Sequence, residues 1–236
     1  LALLTGGGDC LAQTSHGAET LVIPLPLYHV FALTGALSFF STGTQTVLVA
    51  NPRDLPAFIQ VLKASRPSAI IGVNTLFRAL LDAPGFAKVD LGRLKLAVAG
   101  GMAVQQTVAH RWKQATGVPL VEGYGLTESA PVAIANPVDI AEWSGGIGVP
   151  LPSTDAAIVD ADGQPLPPGQ VGEIVLRGPQ VMKGYWNRPE DTGQVLRAGG
   201  WMRTGDMGTM DERGSFRLTD RKKDMIVVSG FKVFPN

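Results

Sequence analysis

The chain has 236 residues, enough for one large α/β domain or two smaller units. Its 20 Lys and Arg balance its 20 Asp and Glu, so the formal net charge is zero; this removes the electrostatic case for a dedicated nucleic-acid binder, and any anionic ligand must be held locally. With 45% hydrophobic and only 17% charged residues the composition is globular and not disordered, and the single Cys10 excludes an internal disulfide or a multi-cysteine metal site and fits a reducing compartment.

The sequence starts at Leu1 and stops at Phe234-Pro235-Asn236 directly after an apolar run, so both ends are expected to continue in a longer protein, and no targeting segment can be read from them. Thr5-Gly6-Gly7-Gly8 lacks the Lys and Ser/Thr that complete a phosphate loop. No Asp, Glu, Lys or Arg occurs between Glu19 and Arg53, but Pro24, Pro26, Gly35 and Gly43 interrupt that stretch; it reads as buried strand, loop, helix and strand, not as a membrane span.

From about residue 20 to 135 the pattern predicts strands at Leu21–Leu25, Val47–Val49, Ala69–Gly72, Leu94–Ala99 and Leu120–Glu122. Helices are expected between them at Tyr28–Phe40, Leu55–Ala64, Asn74–Asp82 and Val104–Thr116. Strands apolar on both faces, alternating with helices, imply an α/β fold with a mostly parallel sheet and flanking helices, whose ligands gather at the carboxyl ends of the strands. After about residue 150 short strands (Ala156–Asp160, Glu173–Arg177, Phe216–Thr219) and the turn dipeptides Asp162-Gly163 and Arg213-Gly214 predict a small antiparallel, β-barrel-like region. The expected divisions are therefore 1–150, 151–219 and a terminal segment, 220–236.

Val121-Glu122-Gly123-Tyr124-Gly125-Leu126-Thr127-Glu128-Ser129 runs from a strand end into a loop. Two glycines flanking Tyr124 let a planar ligand such as a nucleobase approach the backbone and the ring. The Thr127 hydroxyl and Glu128 carboxylate suit a phosphate oxygen and the Mg²⁺ that accompanies it. The same string also reads as a tight turn with a surface Glu. In Gly200-Trp201-Met202-Arg203-Thr204-Gly205-Asp206 a carboxylate follows a glycine at the expected start of a strand, and a carboxylate can accept from both hydroxyls of a ribose. Asp220-Arg221-Lys222-Lys223-Asp224 has on composition the look of a solvated hairpin turn. His29, at the junction of an apolar strand and an apolar helix, is on that ground a hydrogen-bonded core residue or a catalyst. Asn74-Thr75 and Gly100-Gly101 follow two further strands, where they would line an elongated ligand or allow close helix packing.

Taken in order, Leu25-Pro26-Leu27-Tyr28-His29, Gly72-Val73-Asn74-Thr75-Leu76-Phe77, Gly100-Gly101-Met102, Glu122–Glu128, Gly178-Pro179-Gln180-Val181-Met182 with Gly184-Tyr185-Trp186, Thr204-Gly205-Asp206 and Asp220–Asp224 resemble the adenylate-forming enzymes, and within them the bacterial long-chain fatty acyl-CoA synthetases. The resemblance implies that a fatty-acid carboxylate attacks the α-phosphorus of Mg·ATP, giving an acyl-adenylate and pyrophosphate, after which the thiol of coenzyme A displaces AMP. It places adenine on Tyr124 and puts Gly101, Gly123 and Gly125 beside the nucleotide, with Gly100, Gly101 and Asn74 beside the acyl group. It gives Thr127 the α-phosphate, Glu128 the Mg²⁺, Asp206 and Arg221 the ribose, and His29 a place next to the substrate carboxylate. It makes Lys223 the hinge of a small C-terminal domain that begins within 220–236. ATP, Mg²⁺ and coenzyme A are the implied cofactor and co-substrates, long-chain fatty acid is the partner, and nucleic acid is not. The implied location is cytoplasmic, compatible with peripheral contact at the inner face of a membrane and with a homodimer.

The family's phosphate loop and the lysine it uses for adenylation are absent from these 236 residues, so little synthetase activity is expected of this chain alone. Two other readings remain: a ligase that loads a fatty or aryl acid onto a carrier protein, and a non-catalytic nucleotide- or lipid-binding module.

Overall fold

A computed structural model describes residues 17–221, 226–228 and 231–233. In chain order the first half forms β1 (Thr20–Ile23), α1 (Val30–Phe40), β2 (Gln45–Leu48), α2 (Leu55–Ser65), β3 (Ala69–Gly72), α3 (Asn74–Asp82), β4 (Leu96–Ala99), α4 (Gln106–Thr116) and β5 (Leu120–Tyr124). These strands run parallel in the order β2-β1-β3-β4-β5, and the short antiparallel β6 (Ile134–Ala135) and β7 (Val149–Pro150) extend the sheet beyond β5. The second half contributes β8 (Asp155–Val159), β9 (Gly172–Arg177), α5 (Pro189–Val195), β10 (Met202–Met210) and β11 (Phe216–Arg221), an antiparallel sheet in the order β11-β10-β9-β8. β12 (Ile226–Val228) and β13 (Phe231–Val233) pair with each other. The chain is thus α/β, with a mostly parallel sheet and flanking helices followed by a small antiparallel region, as the residue pattern predicts.

The strands of the parallel sheet are apolar on both sides because both sides are covered. Leu21, Ile23, Ala69, Ile71, Leu96 and Val121 face α1, packing with Ala32 and Phe39. Val22, Ile70, Ala97 and Leu120 point the other way, into a layer built on Phe58, Leu62, Phe77, Leu80 and the fully buried Trp112 of α2, α3 and α4. Phe77 meets the Trp112 ring edge-on with centroids 4.7 Å apart, a favoured aromatic geometry. Local chemistry sets the helix ends: Asp54 caps α2 through the Ala57 N–H at 3.1 Å, and Gly117, at φ 76°, stops α4.

The two sheets are joined where Phe216 donates its N–H to the Gly148 carbonyl at 2.7 Å and accepts from Ile147 N–H at 2.8 Å. Gly148 has φ 96°, and a Cβ there would lie 2.0 Å from the Ala135 carbonyl oxygen, so no other residue fits.

The structure departs from the pattern at several places. α1 begins at Val30 and not Tyr28, because His29 is its N-cap. β2 is a half-exposed edge strand. β10 runs nine residues, which puts Asp206 in mid-strand and not at a strand start. The two-residue strands β6 and β7 are too short for a periodicity to register. Among the described residues no helix is long and apolar enough to cross a membrane.

Because β1, β3, β4 and β5 are parallel, their carboxyl ends share one edge of the sheet. His29, Asn74, Gly100-Gly101 and Gly123–Glu128 all lie at or just after those ends, where an open α/β sheet places its ligands.

A candidate nucleotide site between the two sheets

Tyr124 closes β5 with its ring buried against Ile134, Ile147 and Phe216, and its hydroxyl donates to Asp206 Oδ2 at 2.7 Å. This buried hydrogen bond joins the carboxyl end of the parallel sheet to an inner strand of the antiparallel one, across 82 residues of sequence.

The loop after Tyr124 folds tightly back on itself. A Cβ at Gly125 would fall 1.8 Å from the Pro131 carbonyl oxygen, which makes glycine obligatory there. Thr127–Ser129 form a single 3-10 turn, locked by the fully buried Ser129, whose Oγ accepts from Leu126 N–H at 2.9 Å and donates to its carbonyl at 3.1 Å. Thr127 is left exposed and Glu128 half-buried. Glu128 is held twice by the segment after β9: its carbonyl accepts from Met182 N–H at 2.8 Å, and its Oε1 accepts from the Tyr185 hydroxyl at 2.8 Å. Burial and the Glu128 carboxylate together hold the Tyr185 phenol above its ordinary pKa, so it remains a donor.

Asp206 is 8% exposed and owes its place to an irregularity in β10. Arg203 pairs with Val175 and Met207 with Glu173, so three residues of β10 stand opposite one of β9. The three are Thr204, Gly205 and Asp206. Gly205 takes φ 74°. The Thr204 hydroxyl donates to the Ile174 carbonyl at 2.7 Å and accepts from Asp206 N–H at 3.1 Å. Glu173, 4% exposed, accepts from Gly205 N–H at 3.1 Å through one oxygen and takes a two-pronged contact from Arg203 on the other, at 2.9 and 2.6 Å. The Thr-Gly-Asp string is therefore a bulge that aims a carboxylate, with Glu173 as its fastening. Arg221 is the backbone partner of Asp206 in the β10–β11 ladder.

Other residues singled out in the sequence fall nearby. Gly100 is buried; a Cβ on it would lie 3.2 Å from the Phe31 ring and 3.5 Å from the Gly123 carbonyl oxygen, so β4, β5 and α1 meet at these two glycines. Gly101 is exposed with φ 77°. His29 is exposed, not a core residue, and its Nδ1 accepts from Phe31 N–H at 3.3 Å. Asn74 is 4% exposed with its side-chain oxygen on Gln105 N–H at 3.0 Å, so at least that atom serves the protein and not an acyl group. Lys223 lies outside the described residues. Glu122, Ser129 and Tyr185 stand in the sequence motifs without a role of their own and Glu173 outside them; a glutamate inside an apolar strand is the one available signal for Glu122 and Glu173.

Glu122 is 8% exposed and accepts from Val104 N–H at 3.2 Å, and burial pushes its carboxyl up to about 7. Among the described residues no three His, Cys, Asp or Glu side chains cluster into a metal cage. The donor set here, one carboxylate with Oε1 on Tyr185 and a neighbouring hydroxyl, suits a Mg²⁺ that is carried mainly by phosphate oxygens and water.

The sequence profile of the family described as AMP-binding enzyme matches residues 3–186. The chain belongs to that family. Among relatives of the AMP-binding chain, a long-chain-fatty-acid–CoA ligase of Escherichia coli O6:H1 is 53% identical over 221 residues, covering 93% of this chain and 39% of the ligase. A feruloyl-CoA synthase of an Amycolatopsis species is 38% identical over 242 residues, covering 99% of this chain and 49% of the synthase. Among solved structures, ATP-bound MatB from Rhodopseudomonas palustris superposes with a TM-score of 0.85 at 31% identity, over 93% of this chain and 43% of that one. This AMP-binding chain thus spans about two-fifths of the length of the curated long-chain ligases it matches.

Proposed function

We propose that the protein carrying this chain activates a long-chain fatty acid with ATP to an acyl-adenylate and then forms its coenzyme A thioester. The observation that carries this reading is the 2.7 Å bond between Tyr124 and Asp206, which puts an aromatic ring and a carboxylate from distant parts of the sequence at one point, with Thr127-Glu128 three residues further on. The similarity to long-chain-fatty-acid–CoA ligases supports the substrate class and the acceptor.

In this reading adenine lies along Tyr124 and the backbone of Gly101, Gly123 and Gly125. Asp206 accepts from the ribose hydroxyls, assisted by Arg221 from the adjacent strand. Thr127 donates to the α-phosphate. Glu128, steadied by Tyr185, would hold Mg²⁺, which when bound would supply neutralisation of phosphate charge. His29 borders the reacting carboxylate, and Gly100 and Asn74 flank the acyl group. In-line displacement at phosphorus needs positioning and charge neutralisation more than protein nucleophiles, and the site is composed accordingly. A fatty carboxylate resists thiol attack until its oxygen carries a good leaving group, and AMP supplies one. Residues 1–150 and 151–219 act as subdomains of one nucleotide-binding unit, and Lys223 as the hinge to a smaller domain that begins within 220–236. The cytoplasm, with peripheral contact at the inner membrane face where such acids dissolve, is the location this chemistry calls for.

Pyrophosphate exchange by the full-length protein tests the reading. Exchange that depends on a long-chain fatty acid, followed by thioester formation on adding coenzyme A, is the expected result. Exchange with no acid, or acyl transfer only to a phosphopantetheinyl carrier, would overturn it.

A further inference from the structure

Residues 100–105 connect β4 to α4 and contain Gly100 and Gly101, yet their two ends are fastened very differently. At the first, Gly100 N–H donates to the Gly72 carbonyl at 3.1 Å, which simply continues the β3–β4 ladder. At the second, two consecutive N–H groups stand at the entrance to α4: that of the N-cap Gln105, which like the first amides of any helix has no partner within it, and that of Val104 just before. Gln105 is the N-cap and its side chain makes no capping bond. Both groups are taken instead by buried side chains from other elements: Val104 N–H by Glu122 Oε1 at 3.2 Å, from β5, and Gln105 N–H by Asn74 Oδ1 at 3.0 Å, from the first turn of α3. The Val104 carbonyl in turn accepts from the Trp143 indole N–H at 3.1 Å. Between the two fastened ends Gly101, Met102 and Ala103 are exposed at the sheet edge.

We propose that Glu122 and Asn74 are positioning residues that clamp the 100–105 loop, and so fix the Gly100-Gly101 backbone against the nucleotide and acyl group. The proposal rests on the adenylating function given above. A buried carboxyl and a buried carboxamide must each lose water, and the acceptor oxygen of each is on an amide of the loop. What the two share is the loop. Either protonation state of Glu122 leaves an oxygen able to accept from Val104, so the clamp does not require the charge.

The test compares Glu122→Gln, which keeps an acceptor, with Glu122→Leu, which keeps the volume without one, in the full-length protein. Amide exchange at Val104 and Gln105 and the kinetics of pyrophosphate exchange are both measured. Glu122→Leu is expected to speed exchange at these amides and to lower kcat/KM for ATP and fatty acid by about tenfold, the equivalent of one hydrogen bond's net worth, with Glu122→Gln close to wild type. Should Glu122→Leu fail to fold, Glu122→Met, closer in shape to glutamate and also without the carboxyl acceptor, gives the same contrast. Faster amide exchange with kcat/KM unchanged would reduce the pair to a structural role and overturn the proposal, as would failure of Glu122→Gln to keep activity. Wild-type protein without adenylating activity would instead overturn the functional reading, and the amide data would still judge the clamp.

Discussion

At the scale of single residues, the site depends on carboxylates in unlike surroundings. Asp206 is buried with Tyr124 on one oxygen, so Asp206→Asn in the full-length protein is expected to weaken ATP binding by about 1.5–3 kcal/mol, roughly 10- to 150-fold, the range for hydrogen bonds to a charged group. Tyr124→Phe keeps the ring and serves as the control. An unchanged ATP KM in the Asp206 variant would remove Asp206 from the ribose. Glu128→Ala should abolish adenylation while sparing AMP affinity measured without Mg²⁺, and equal loss of both would take the metal role from it. Glu122 makes a prediction about stability. Its folded pKa of about 7 lies above the model-compound value of 4.5, so between these limits the native state binds more protons than the unfolded one. Stability from this group is therefore greatest below about pH 4.5 and falls as pH rises to about 7, by something on the order of 3 kcal/mol at most. Among the described residues no cation pairs with Glu122 to offset this. Chemical denaturation of wild type and Glu122→Gln across that window checks it: the variant should lack this slope, and parallel pH profiles would refute it.

At the scale of elements, what could be read from the sequence was what has a period. Ala69–Gly72 and Asn74–Asp82 are found in the structure with the bounds that the apolar pattern gives. The bulge in β10 has no period, because Thr204-Gly205-Asp206 departs from alternation for the sake of side-chain and backbone hydrogen bonds to β9 that no local pattern encodes. For the same reason Glu173, 32 residues before Gly205, gives no sign in sequence of holding that turn. Removing it should leave the nearly buried Arg203 without its carboxylate. Glu173→Ala is expected to cost about 3–5 kcal/mol in urea denaturation, with Glu173→Ala/Arg203→Met recovering much of it. A double variant no better than the single one would show that the bulge, and not the stranded charge, sets the penalty. The loop after β5 obeys a stricter rule still. Gly125→Ala must displace Pro131 or itself, and about 1–3 kcal/mol of stability should go with it; a thermal midpoint equal to wild type would mean that the loop opens at no cost.

At the scale of the molecule, the candidate site lies where two sheets meet. Composition and strand pattern indicated both sheets and the edge at which ligands gather, and family likeness assigned residues to roles. Neither could say that Tyr124 and Asp206 touch, since that contact depends on how the antiparallel sheet docks through Gly148 and Phe216. The likeness also overrode one local reading, the solvated turn at Asp220–Asp224, of which residues 222–224 lie outside the described residues. All of this reduces to one claim, that Tyr124, Glu128 and Asp206 surround a single AMP moiety. A crystal structure of the full-length protein with a non-hydrolysable acyl-adenylate analogue addresses it directly: adenine against Tyr124 with a ribose hydroxyl on Asp206 is the result expected, and an analogue bound away from these residues would contradict it.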